Sequence, residues 1–165
     1  MIRTPTGKLV KTADGTDLVL TRTFRAPIDD VWASVTESER TARWYGPWKG
    51  DAGQGKTIQV QMVYEDSPEW MDLTIDACEP PSRLAVSTVD DMGTWRMELI
   101  LAENGGTTEL KLVQHLDKAE IVGDVGPGWE YYLDMLVAAR NDEKLPSFDE
   151  YYPAQKEYFL GQLDG

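Results

Sequence analysis

The chain has 165 residues, 41% of them hydrophobic and 27% charged, a balance that excludes a disordered chain and suits one domain better than two. Its net charge of −13 repels phosphate backbones and anionic lipid, which argues against nucleic-acid binding and membrane-surface roles. No apolar run approaches the roughly 20 residues of a membrane span, and the N-terminal MIRTPTGKLVK lacks a signal-peptide core, so the chain reads as soluble and cytoplasmic.

Closely spaced turn signals then divide the chain, as they do in antiparallel sheets. Ala13-Asp14-Gly15 separates GKLVK from the strand DLVLTRTFRA. Pro27 follows that strand, and IDDVWASVTESERTARWYG carries Asp29 and Asp30 near its start, where acids suit the positive end of a helix. This region is expected to hold two short helices. In the next strand Ile58, Val60, Met62 and Tyr64 share a face, and Glu65-Asp66-Ser67-Pro68 turns the chain. Met71, Leu73, Ile75 and Ala77 then oppose Asp72, Thr74 and Asp76, until Glu79-Pro80-Pro81-Ser82 ends the ladder.

Leu84, Val86 and Thr88 continue the apolar row, and Asp91-Met92-Gly93 marks the next hairpin. Beyond it, Trp95, Met97, Leu99 and Leu101 oppose Arg96 and Glu98. Asn104-Gly105-Gly106 supplies the positive φ values of a primed turn, and Leu110, Leu112 and Gln114 follow in the last strand. One apolar and one polar face describe a sheet wetted on one side. Its cover is the helix GPGWEYYLDMLVAARND, expected to open at Gly126-Pro127-Gly128, with Trp129, Tyr132, Leu133, Leu136, Val137 and Arg140 in one stripe. The closing KLPSFDEYYPAQKEYFLGQLDG is aromatic and acidic, suited to strapping onto its own body or onto a second subunit.

The single Cys78 and single His115 exclude an intrachain disulfide, multi-cysteine zinc patterns and HExxH sites. Both lie in strand patterns and read as structural, and no metal or cofactor is expected. Asp29 and Asp30 are explained by a helix start, and Asp90 and Asp91 by a hairpin turn. Asp124 would compete with an anion at the helix N-terminus, so the glycine-rich segment after it is not read as a phosphate loop.

Met62, Tyr64, Met71, Trp95, Met97, Trp129 and Met135 crowd the expected inner surface, either as plain core or as the walls of a cavity. Methionine adapts to differing apolar ligands. Thr88, Gln114 and the Tyr64 hydroxyl are polar groups on that face, each to be satisfied internally or by a ligand. Trp44 and Trp48 follow the helix pair as a gate or as lid packing. With Leu73, Leu133 and Leu136, these residues (Met135 excepted) form the candidate ligand-binding set.

The order of elements is that of a helix-grip α+β fold, a curved antiparallel sheet around a long C-terminal helix, with two short helices after the first long strand. Several segments carry a family resemblance in combination. Arg22-Thr23-Phe24-Arg25-Ala26-Pro27 with Val31-Trp32, Trp44-Tyr45-Gly46-Pro47, Glu79-Pro80-Pro81-Ser82-Arg83-Leu84, Gly105-Gly106-Thr107-Thr108-Glu109-Leu110 and Gly128-Trp129 with Leu133 and Leu136 are its bearers. The sequence resembles the activator of heat shock protein 90 ATPase homologue family of the START/SRPBCC superfamily, which shares the Bet v 1-like fold. The likeness covers roughly residues 17–142, leaving 143–165 as an aromatic extension of a single domain spanning 1–165. It departs at Gly55-Lys56, where the family often has a Gly-Gly pair, and in the long tail.

Three functions follow as expectations. The first is non-enzymatic binding of a small hydrophobic or aromatic molecule between sheet and helix. A second, implied by the resemblance alone, is activation of a heat-shock chaperone ATPase. The third is a cyclase or hydratase acting in the same cavity through tyrosines, an acid or a water held by Gln114. A monomer and a homodimer both remain open.

Overall fold

The period-two patterns produce eight strands in a single antiparallel sheet in the computed structural model, which describes residues 4–13, 15–62, 69–90, 93–116 and 118–163. The strands are β1 Lys8–Thr12, β2 Gly15–Phe24, β3 Trp48–Lys49, β4 Thr57–Gln61, β5 Trp70–Glu79, β6 Arg83–Asp90, β7 Gly93–Asn104 and β8 Thr107–Leu116. Their order across the curved, unclosed sheet is β1-β2-β8-β7-β6-β5-β4-β3. Pairing places Leu20 opposite Leu112, Leu112 opposite Leu99 and Leu99 opposite Leu84, so one apolar row crosses four strands on the concave side.

Two local readings change. The β7–β8 turn is centred on Gly105 and Gly106, with φ of 61° and 84°, while Asn104 still pairs with Thr107. Both central residues need positive φ, which glycine adopts without a Cβ penalty. In β5 the register shifts between Ile75 and Ala77. An extra residue inverts the side-chain alternation, so Cys78, opposite Leu84, packs against the core in the place expected for Ala77. The tips expected at Asp14, Glu65–Pro68 and Asp91-Met92 lie outside the described residues, as does Tyr64.

The helix pair is present as α1, Ile28–Thr36, and α2, Ser38–Thr41. The segment after it is held against β4, where the Gln61 amide donates to the Pro47 carbonyl at 3.0 Å. Gly46 is required there because a Cβ would overlap the Gln61 carbonyl.

The long helix α3 runs Val122–Arg140, starting before the expected Gly126 and carrying Pro127 inside it. Glycine and proline disfavour helix locally, yet here they serve packing. A Cβ on Gly126 would stand 2.5 Å from the Phe159 ring, and one on Gly123 3.0 Å from Leu160. Both partners belong to α4, Lys156–Leu160, which lies on the first turns of α3. The tail therefore straps its own domain. Tyr151 and Phe159 are fully buried, Tyr151 donates its hydroxyl to Asp134 at 2.8 Å, and Tyr158 donates to the Gly7 carbonyl at 3.0 Å.

As a result α3 is buried well beyond its expected stripe. Leu133, Leu136 and Tyr132 are buried, and so are Glu130, Tyr131, Met135, Ala138 and Ala139. Glu130 is the anchor of this arrangement. Its carboxylate accepts from the Gly7 amide at 2.7 Å and from Arg22 at 2.8 Å, and Arg22 also donates to Asp134 at 3.0 Å. Burial opposes the Arg22 charge, but the fields of Asp134 and Glu130 outweigh it and raise the guanidinium pKa. This network pins α3 against the β2 flank of the sheet.

Candidate ligand-binding hollow

The concave face is sealed at its flanks and, apart from buried Ile75, Met97 and Leu101, only half-covered in its middle. On β2 and β8, Leu18, Leu20, Leu110, Leu112 and Gln114 are at most 2% exposed, and on β4 Ile58 and Val60 are buried. Between these flanks, Met71 and Leu73 of β5, Leu84, Val86 and Thr88 of β6, and Trp95 and Leu99 of β7 are only half-buried. Their register turns them to the same side as the sealed rows. On the facing helix, Val125, Trp129 and Val137 are half-buried too. Side chains that point inward yet remain wetted outline a hollow between β5–β7 and α3.

The candidate residues divide around it. Met71, Leu73, Thr88, Trp95 and Trp129 belong to the half-buried walls. Met97, 7% exposed, lies opposite Val86 and Gln114, while Met62, Leu133 and Leu136 are core. Both polar candidates with described side chains are satisfied internally. Thr88 donates to the Asp72 carbonyl at 2.7 Å, and Gln114 accepts from the Trp129 indole at 2.6 Å. The latter bond fixes the Trp129 ring beside the hollow.

Trp44 and Trp48 are both tied to α1. Their indole nitrogens donate to the Ser34 and Thr36 carbonyls of α1 at 2.9 and 2.8 Å. Tyr45, absent from the candidate set, is the residue between them that reaches the helix. Its ring lies parallel to Trp129 at 6.4 Å between centroids and tilted on Tyr132 at 5.1 Å. Leu84, Val86, Leu99 and Val137 were also outside the set, although the strand alternation had already placed the first three on the inner face.

His115, Glu98, Asp30, Arg22 and Arg83 have displaced pKa values and stand outside the half-buried walls. On the outer face of the sheet His115 bridges two carboxylates, with Nδ1 2.8 Å from Asp17 and Nε2 2.6 Å from Glu98. Desolvation works against its charge, but bonds to Glu98 and Asp17 prevail and raise its pKa. Burial likewise works against the Glu98 charge, yet His115 and Arg83 hold its carboxyl below the usual range. Among the described residues, no group of His, Cys, Asp and Glu is arranged to hold a metal ion, and no helix is long and apolar enough to cross a membrane.

Residues 25–140 match the family described as activator of Hsp90 ATPase homolog 1-like protein. The chain belongs to that family. Its helix-grip fold is shared by CalU16 from Micromonospora echinospora, whose crystal structure is 25% identical, covers 98% of each chain and superposes with a TM-score of 0.78. A Bordetella parapertussis protein solved by NMR is 22% identical over 98% of this chain and 95% of its own, with a TM-score of 0.74. DynU16, a putative protein of the dynemicin biosynthetic locus, is 20% identical over 83% of this chain and 50% of its own, with a TM-score of 0.68. No curated protein matches the sequence. In this member of the activator of Hsp90 ATPase homolog 1-like family, the Trp44-Tyr45-Gly46-Pro47 segment has a physical role, bringing Tyr45 against Trp129 of α3.

Proposed function

We propose that the protein binds a small hydrophobic or aromatic molecule in the hollow between β5–β7 and α3. The observation that supports this reading is the half-buried inward row Met71, Leu73, Leu84, Val86, Trp95 and Leu99, flanked on both sides by fully sealed strands. Apolar surface left wetted on a core-facing side gains about 25 cal/mol per Å² when a ligand covers it. Thr88, Gln114 and the Trp129 indole already have partners, so an apolar occupant strands none of these three. Binding is the reading taken because the described side chains of this row are apolar, and His115, Glu98, Asp30, Arg22 and Arg83, whose pKa values are shifted, lie outside it. On this reading the chain is one domain, with its aromatic extension closing the far side of α3.

Native mass spectrometry after incubation with an apolar extract of the source cells tests the proposal, with Val86→Trp as the filled-hollow control. A discrete added mass that is lost on denaturation and absent from the folded variant is expected. A bare chain mass with every extract, or equal capture by the variant, overturns it.

A further inference from the structure

A second concavity of about 320 Å³ lies where α1, α2 and the last turn of α3 meet. Its chemistry is opposite to that of the hollow. Three guanidinium groups, from Arg40, Arg43 and Arg140, line it against a single carboxylate, Asp30. Both Asp30 oxygens are already engaged, Oδ1 by Arg40 at 3.0 Å and Oδ2 by Arg140 at 2.7 Å. These two bonds hold the Asp30 carboxyl below its ordinary range, Arg140 contributing more than Arg40. In the lining itself three guanidinium groups thus face one carboxylate, in a chain that carries −13 overall, and the other acids near them, Glu37 and Asp142, stand outside it.

Arg140 and, through the Ala139 carbonyl, Arg43 are held in place before any ligand arrives. Arg140, 16% exposed, donates to the Ser34 hydroxyl at 2.6 Å and lies over the Phe24 ring. Arg43 uses one nitrogen, Nη2, for both of its bonds, to the Ala139 carbonyl at 2.6 Å and to Asp142 at 2.9 Å. Its Nη1 and Nε, and the Nη2 of Arg40, have no partner among the described residues. Guanidinium edges of this kind match carboxylate and phosphate oxygens in pairs. The competing acids are weak rivals. Glu37, 3.7 Å from Arg40, and Asp142 have side chains 62% and 87% exposed, and such pairs are largely screened by water.

Leu136, Ala139 and the Trp44 indole complete the wall with apolar surface. A volume near the lower end of ligand pockets, about 300–1,000 Å³, suits a compact molecule. We propose that this cleft is a binding site for a small organic dianion, a dicarboxylate or phosphate monoester with a short carbon body, held by Arg40 and Arg43 on a scaffold locked by Arg140 and Asp30. The site is separate from the apolar hollow, and either can stand without the other.

Titration of ¹⁵N-labelled protein with succinate, and in parallel with inorganic phosphate, tests this against sodium chloride of equal ionic strength. The Nε–H signals of Arg40 and Arg43 and the Trp44 indole N–H should shift saturably with at least one dianion. Arg43→Gln and, separately, Arg40→Gln should each weaken that binding about tenfold, the loss of one charge-assisted contact, while the rest of the spectrum stays folded. Preference for succinate assigns a dicarboxylate, and preference for phosphate a phosphate ester. Shifts no larger than those in sodium chloride, or binding unchanged in both variants, overturn the proposal.

Discussion

Gly126→Ala is expected to change sign with the residue it faces. In the wild-type chain the new Cβ would stand 2.5 Å from the Phe159 ring, about 1 Å inside ordinary contact, and its three nearest neighbours are all atoms of that ring. Phe159 is fully buried, so it has little room to withdraw. Overpacking of this kind costs about 1–3 kcal/mol. For a chain of 165 residues each kcal/mol moves the melting temperature by about 2–4 °C, so Gly126→Ala should lower it by about 2–12 °C. Phe159→Ala alone removes a buried ring and should cost about 3–5 kcal/mol. With that ring gone, alanine in a helix interior becomes preferable to glycine, and the second substitution should regain about 0.5–1 kcal/mol. The double-mutant cycle, measured by urea unfolding, should thus show a coupling of about 1.5–4 kcal/mol. Equal destabilisation by Gly126→Ala in both backgrounds, or none in the wild type, would refute the docking of α4 on α3.

The His115 clamp predicts a pH signature. Its folded pKa is raised, so its contribution is complete below the unfolded value of about 6.5 and fades as pH rises through the folded value. The urea midpoint of the wild type should fall across that window more steeply than that of His115→Gln, and identical slopes would dismiss the clamp. Gly46→Ala is a backbone test. The overlap is with the Gln61 carbonyl, which no side-chain rotation relieves, so a loss of about 3 kcal/mol or more is expected in thermal unfolding. A melting temperature within about 2 °C of wild type would show that the segment is free to move away from β4.

Much of this architecture is written in short-range patterns. The alternation of Leu84, Val86 and Thr88 against Trp95, Met97 and Leu99 gives the same inner row that the paired strands display. The bulge in β5 escapes such reading because Ala77 and Cys78 are both apolar, and either phase looks satisfactory. Gly126-Pro127-Gly128 resembles a helix start until Phe159 is placed against Gly126, a contact across 33 residues that local propensity does not report. The dianion cleft is hidden by distance too. Asp30 reads as an ordinary helix-start acid, and only folding joins it to Arg140, 110 residues away. The hollow is legible as a face, but how far each side chain on it is covered is not. Whether an inward leucine is sealed depends on where α3 is pinned.

That pinning explains why the hollow lies where it does. Arg22 of β2 ties Glu130 and Asp134 of α3, and Tyr151 ties Asp134 from the other side, so the helix is drawn to the β2–β8 flank. At the opposite flank Trp48 pairs with Val60, and Pro47 accepts from Gln61, which draws the lid onto β4. Neither tie crosses the middle of the sheet. The middle strands therefore keep several apolar side chains only half-covered, while the ties themselves stay outside the hollow. A ligand there would displace no ion pair and break none of these bonds. On the other side, the cleft's spare cationic donors sit on Arg40 and Arg43, which take no part in either tie. Arg43→Gln should consequently leave capture of an apolar molecule intact while weakening succinate or phosphate, and Val86→Trp should do the reverse. Loss of both activities in either variant would mean that the two concavities are one site.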